Sequence, residues 1–193
     1  PTLVRPEGFS DYNKIVDISA GRDHALLLTS DGKVYGMGSY GSGKLDTARA
    51  SGNARVPVYL VLPSNVQPYD ISADENTTHI LTRSGDVISL GKNIYNNGGY
   101  DYGQFGTAKI IARGPSYAEG DVHSNLVALS SGNNSVMAIN TDGRVVVWGR
   151  NDRGQLGIQN ILDAGNPEDH TVGPYIPVAT VNNSYNFNTW DVP

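Results

Sequence analysis

The residues whose types could do chemistry are a glycine-rich stretch, a few scattered histidines, an acidic loop and a cluster of tyrosines. Gly36-Met37-Gly38-Ser39-Tyr40-Gly41 matches the dinucleotide fingerprint G-x-G-x-x-G, and Gly38 through Lys44 matches most of a phosphate-binding P-loop, with Leu45 where Ser or Thr is required. Either motif needs a helix N-terminus to point its N–H groups at a phosphate. The repeat register places this stretch on a strand and a turn, so nucleotide binding is not the reading it supports. Asp163, Glu168, Asp169 and His170 share one loop, but their spacing fits no calcium or zinc pattern. His24, His79, His123 and His170 stand apart, and His24 reads as a structural side chain hydrogen-bonded within its own unit. No nucleophile–base pair or carboxylate pair emerges, which predicts a protein that is not an enzyme, with no catalytic residue, metal or cofactor. Tyr95, Asn96, Asn97, Tyr100 and Tyr102 are of another kind. Their amphipathic rings on an Asn- and Gly-rich loop suit contact with a protein or a sugar. The plainer reading is that these tyrosines pack on their own unit.

The elements that must carry these residues follow from composition and repetition. Among 193 residues there are 23 glycines, 10 prolines and no cysteine, and 38% are hydrophobic. Many short strands joined by tight turns use glycine in this way, so the composition favours an all-β chain. A net charge of −5 gives no broad electrostatic footprint for nucleic acid. The lack of cysteine rules out disulfides and thiolate metal sites. No apolar run approaches the roughly 20 residues of a membrane-spanning helix, so membrane insertion is not expected.

Repetition is the stronger signal. Asp31-Gly32-Lys33-Val34 through Gly38, Gly85-Asp86-Val87 through Gly91, and Asp142-Gly143-Arg144-Val145 through Trp148-Gly149 share one spacing. From Gly32 to Gly85 is 53 residues and from Gly85 to Gly143 is 58, a period that points to propeller blades or a related array. Upstream of each hairpin an apolar strand recurs, ending in Ser19-Ala20-Gly21, Ser72-Ala73-Asp74 or Ser130-Ser131-Gly132. Downstream come Gly43-Lys44-Leu45-Asp46, Gly103-Gln104-Phe105-Gly106 and Gly154-Gln155-Leu156-Gly157. Each unit therefore reads strand, turn, strand, tight hairpin, strand, Gly-rich turn, and then a closing strand such as Val56–Val61, Ile110–Ile111 or Ile176–Val181. Gly32, Gly38, Gly85, Gly91, Gly143, Trp148, Gly149, Gly154, Gln155, Leu156 and Gly157 are the structural residues of this pattern. Leu26-Leu27-Leu28 predicts a strand buried on both faces between neighbouring blades.

These motifs resemble the regulator of chromosome condensation repeat family, whose units combine Ser-Ala-Gly, Asp-Gly, Val-Tyr-x-Trp-Gly and Asn-x-x-Gly-Gln-Leu-Gly. The third unit is a close match. The first departs at Met37, Lys44 and Asp46, and the second at Asp74 and in an insertion from Ile94 to Asp101. The resemblance implies a partial or open propeller of about three four-stranded blades, with units near residues 7–63, 64–115 and 116–181. Asn182–Pro193, where Tyr185, Phe187 and Thr189 alternate with asparagines and lead to Trp190, is expected to cap the array edge or contact a partner. Pro1-Thr2-Leu3-Val4-Arg5-Pro6 reads as an extra closing strand, and three units fall below the four to eight of propellers. Part of a longer array, or of an assembly completed by other chains, is the expectation.

A propeller is a scaffold, so function must come from the surfaces it presents. The expected role is a non-catalytic structural or protein-interaction module that meets a protein partner or a second copy. The abundance of Asn, Gly, Ser, Thr and Tyr suggests a component of a viral particle, such as a phage tail or adhesin, or of a cell-surface assembly. Carbohydrate binding through Tyr95, Tyr100 and Tyr102 is an alternative. The resemblance implies another, guanine-nucleotide exchange on a small GTPase as part of a larger propeller.

Overall fold

Between the second and third strands of each sheet the chain turns back on a glycine with a left-handed backbone. Gly32, Gly85 and Gly143 have φ of 76°, 81° and 76° at the three tight hairpins, a conformation that strains any residue with a Cβ. The computed structural model describes residues 14–45, 49, 51–92, 105–111, 126–141, 143, 145–150, 153, 155–156 and 179–180. Around those hairpins the strands run in order: β1 (Ile15–Ala20), β2 (His24–Thr29), β3 (Val34–Ser39) and β4 (Asn53–Tyr59), then β5 (Pro68–Ala73), β6 (Thr77–Thr82), β7 (Val87–Lys92) and β8 (Phe105–Ile111), then β9 (Leu126–Gly132), β10 (Ser135–Asn140), β11 (Val145–Gly149) and β12 (Ala179–Thr180). Each set of four forms one antiparallel sheet in which neighbours in sequence are neighbours in space.

A second row of glycines ends the third strand of each sheet. Gly38, Gly91 and Gly149 have φ of 102°, 119° and 96°. A Cβ on Gly38 would lie 2.4 Å from the Asp23 carbonyl oxygen, and one on Gly91 would lie 2.2 Å from that of Asn76. The close approach lets the following residue donate its N–H to that carbonyl, Ser39 to Asp23 at 2.8 Å, Lys92 to Asn76 at 3.1 Å and Arg150 to Asn134 at 2.9 Å. The glycine thereby fastens the third strand onto the turn between the first two.

Burial shows how the sheets stack. Every residue of β6 is buried, whereas β2 and β10 alternate. Ile80 of β6 packs with Leu26, Leu28 and Val34 of the first sheet. Its neighbour Leu81 packs with Val136, Ala138 and Trp148 of the third. The second sheet is therefore the middle layer, covered on both faces. Leu27 corrects the sequence reading: its flanking leucines are buried but it is only partly so, because no described sheet lies on that side of the first blade. The tryptophan position makes the same point, since Met37, Leu90 and Trp148 occupy equivalent register places opposite Ala25, Thr78 and Val136. Leu90 and Trp148 are each 3% exposed and face the preceding sheet, while Met37 lies on the outer face of the first.

Trp148→Ala is expected to destabilise the protein by about 3–5 kcal/mol in urea unfolding, against less than about 1.5 kcal/mol for Met37→Ala at the same repeat position. Equal losses would show that the layers are stacked otherwise.

Candidate interaction surface at the inner-strand turns

The first strands of the three sheets, β1, β5 and β9, meet through side chains that accept hydrogen bonds from the next strand's backbone. Ser19 Oγ accepts the Ala73 N–H at 2.9 Å, and one unit on, Ser72 Oγ accepts the Ser131 N–H at 2.8 Å. Asp70 accepts the Leu129 N–H at 2.9 Å, and Asp74 accepts the N–H groups of Asn134 at 2.9 Å and Glu75 at 2.7 Å. Burial raises the Asp70 carboxyl above the usual range, and the nearby Asp17 carboxylate adds to this against the pull of its N–H donors. Gly21 has its own reason to be glycine, since a Cβ there would lie 2.5 Å from the Asp74 carbonyl oxygen.

These bonds gather one turn from each unit around an open cleft of about 460 Å³, lined by Ala20, Gly21 and Arg22, by Ala73, Asp74 and Glu75, and by Ser131, Gly132 and Asn133. Arg22, Glu75 and Asn133 follow Gly21, Asp74 and Gly132 at equivalent places and differ in charge from unit to unit. The Arg22 guanidinium donates to Glu75 and lies 3.8 Å from Asp23. Glu75 also accepts the Asn134 side-chain amide at 2.8 Å, and Asn133 accepts a 3.3 Å hydrogen bond from Arg150. The surface offers a cation, an anion and an amide on backbone that neighbouring blades hold in place.

Lys44, the apparent P-loop lysine, has no part in phosphate binding of the usual kind. Its ammonium is buried, paired with Asp23 and 3.3 Å from the Glu75 carbonyl, and the glycines before it form a single 3-10 turn, Gly41–Gly43. Burial works to raise the Asp23 carboxyl, but the Lys44 hydrogen bond and charge prevail and hold it below the usual range.

His24 corrects its reading as a contact within one unit, because its partner is in the next blade. Its Nε2 lies 3.0 Å from Thr78 Oγ1, while the Thr78 hydroxyl donates to the Lys44 carbonyl at 2.7 Å. With its proton committed there, Thr78 must accept, so His24 carries its proton on Nε2. The His79 Nδ1 lies 2.8 Å from Ser89 Oγ. Among the described residues, neither ring's other nitrogen has a hydrogen-bond partner. Burial, followed by the Lys44 charge, lowers His24 from 6.5 to about 4, and burial, followed by His24, lowers His79 from 6.5 to about 3.

Tyr95, Asn96, Asn97, Tyr100, Tyr102 and Trp190 lie outside the described residues, as do Gly154, Gly157, His123 and the Asp163–His170 loop. Gln155 accepts the Arg153 N–H at 2.8 Å, and Leu156, like its counterpart Leu45, is buried. Among the described residues no group of His, Asp and Glu could hold a metal ion. Sequence reasoning missed Arg22, Glu75, Asp70 and the inner-strand serines. A usable signal was present, a polar residue two places after the Ala or Ser at the end of each repeated Ser-Ala-Gly-like segment, Arg22, Glu75 and Asn133.

The two histidines set a pH dependence. Both are neutral when folded and titrate lower than in the unfolded chain, so the unfolded state binds more protons below pH 6.5. Their contribution is intact above that pH and is lost progressively as pH falls toward 4 and then 3. Thermal melting should drop across this window, and His24→Gln should drop less steeply. Identical slopes would exclude His24 as a source.

Residues 15–43 and 126–155 match one model of the Regulator of chromosome condensation (RCC1) repeat, and residues 142–182 match a second. The human X-linked retinitis pigmentosa GTPase regulator is 29% identical over 161 residues, covering 82% of this chain and 15% of that protein. Mouse Regulator of chromosome condensation is 28% identical over 145 residues, covering 74% and 32%. The chain thus spans only a minor part of the relatives it matches. Among solved structures, human WBSCR16 superposes with a TM-score of 0.70 at 21% identity, covering 83% of this chain and 40% of that one. Prp20p from Saccharomyces cerevisiae gives 0.65 at 19%, covering 79% and 35%. With the three sheets in repeat register and these matches together, residues 15–43 and 126–182 match regulator of chromosome condensation repeats, and the three sheets are blades of a partial β-propeller.

Proposed function

We propose that this chain is a non-catalytic interaction module that binds a protein partner across the face made by its inner-strand turns. The observation that carries this reading is the convergence of three turns, one per unit, on a single cleft that presents Arg22, Glu75 and Asn133. Such a surface recognises by charge and hydrogen bonding on a rigid support. The relatives agree with an interaction role: one is a GTPase regulator, and the Prp20p structure was described with its binding properties to Gsp1p and histones. Units near residues 7–63, 64–115 and 116–181, serving within a longer array or assembly, complete the proposal.

Guanine-nucleotide exchange on a small GTPase is the second reading, motivated by those names. The viral-particle and cell-surface version gains nothing from these relatives. The carbohydrate reading rests on the tyrosine loop alone.

Two measurements separate the readings. Once a partner has been identified by photo-crosslinking from Asn133, the double variant Arg22→Ala, Asn133→Ala should weaken its binding at least tenfold, about 1.4 kcal/mol, with an unchanged circular dichroism spectrum. Undiminished affinity would remove the inner-turn face from the interface. Accelerated nucleotide release from any of a panel of small GTPases would establish exchange, and no acceleration across the panel would leave the scaffold reading.

A further inference from the structure

Two cations and two carboxylates stand where the first and second inner turns meet, and they could pair in more than one way. Arg22 adjoins Asp23 in sequence, with its Nη2 3.8 Å from Asp23 Oδ2, yet its hydrogen bond goes to Glu75, 53 residues on and in the next blade. Pairing inside one turn needs no alignment of two blades, so the choice of Glu75 requires a reason. Lys44 supplies it. Its side chain is only 2% exposed, and its ammonium is paired with Asp23 Oδ1. A buried ammonium left without a carboxylate is costly, whereas an exposed ion pair contributes little. Asp23 is therefore committed to Lys44, and the 59% exposed Arg22 side chain is left to Glu75.

Lys44 also fixes the group that Arg22 reaches. Its ammonium lies 3.3 Å from the Glu75 carbonyl oxygen, and its own carbonyl accepts the Thr78 hydroxyl at 2.7 Å, so both ends of the residue are tied to the second blade. The Glu75 carboxylate takes Arg22 on one oxygen and the Asn134 side-chain amide, at 2.8 Å, on the other. Glu75 thus joins all three inner turns. At the places of Asp23 and Lys44 the third unit has Asn134 and Gln155, and at the place of Arg22 it has the neutral Asn133. The buried charge pair occurs in the unit whose turn displays a cation.

We propose that Lys44 is a positioning residue for the inner-turn face: by holding Asp23 it keeps Arg22 on Glu75 and so sets the charge pattern that a partner meets. The inference rests on the reading of that face as the binding surface. Without the ammonium, Asp23 is a carboxylate with Arg22 beside it, draws the guanidinium back into its own turn and leaves Glu75 held by Asn134 alone. Removing the Asp23 charge as well takes the competitor away, and Arg22 returns to Glu75. The single and the double substitution have opposite effects on an ion pair to which neither residue belongs.

NMR on the full chain, with no partner present, tests this. Nuclear Overhauser contacts between the Arg22 δ and Glu75 γ hydrogens should be seen in the wild type, lost in Lys44→Gln and regained in Asp23→Asn with Lys44→Gln. The third unit carries Asn and Gln at these places, so the fold accommodates both. Loss of the lysine's packing is common to the two variants, so recovery in the double variant separates its charge from a merely structural role. A contact that persists in Lys44→Gln overturns the proposal. So does a contact absent from the folded double variant, which decides the matter even where the single variant fails to fold. Affinity for the partner captured by photo-crosslinking from Asn133 should fall roughly threefold or more in Lys44→Gln and recover in the double variant. Unchanged affinity while the Arg22–Glu75 contact moves as expected supports the positioning role and removes the inner-turn face from binding instead.

Discussion

The backbone N–H groups along the inner edge of each sheet must be bonded although no further strand of that sheet lies beside them. An unpaired edge is costly when buried and invites wrong pairing when exposed. In the second and third sheets, acceptors come from side chains of the preceding blade. Ser19 serves Ala73, Ser72 serves Ser131, Asp70 serves Leu129, and Asp74 serves Asn134. Small residues on these strands keep the blades close enough for the bonds to form, and the aliphatic layers between blades follow from that spacing. The same bonds bring the three turns to one face. Scaffold and candidate surface therefore have a single cause.

Departures from the repeat become intelligible as local replacements that preserve this arrangement. In the second unit Asp74 stands where the others have glycine, and its carboxylate takes two N–H groups, one of them from the third blade. In the first unit Lys44 replaces the Gln of the third and is buried against Asp23, where the other units have Asn76 and Asn134. A charged pair has taken the place of two neutral amide residues. The Lys44 carbonyl also anchors Thr78, which in turn accepts from His24, so the departure joins two blades. Neither change removes the packing between layers, which is why the repeat tolerates them.

Much of the fold was legible because it is local. Paired glycines such as Gly32 and Gly38 recur since each answers a backbone requirement, a hairpin in one case and a close carbonyl in the other. Alternation and spacing then placed three of the strands of each unit. The candidate site was not legible in the same way. The Ser19 to Ala73 bond spans 54 residues, and no pattern within one unit says that a serine hydroxyl will meet the next unit's backbone. Leu27 illustrates a similar limit, since whether an apolar run is covered on one face or both depends on which blades flank it. The Gly38–Lys44 motif imitated a P-loop because a turn built on glycine resembles one in sequence, whatever its N–H groups face.

Side-chain acceptors from one blade hold the inner-strand amides of the next, and hydrogen exchange followed by NMR reads those amides directly. The Ala73, Leu129, Ser131 and Asn134 amides should be protected to a degree comparable with the ladder amides of β6, and Ser72→Ala should selectively release Ser131. Exchange of all four at the rate of exposed loop amides would show that the blades are held together by aliphatic packing alone, and the account of the inner-turn face would fall with it.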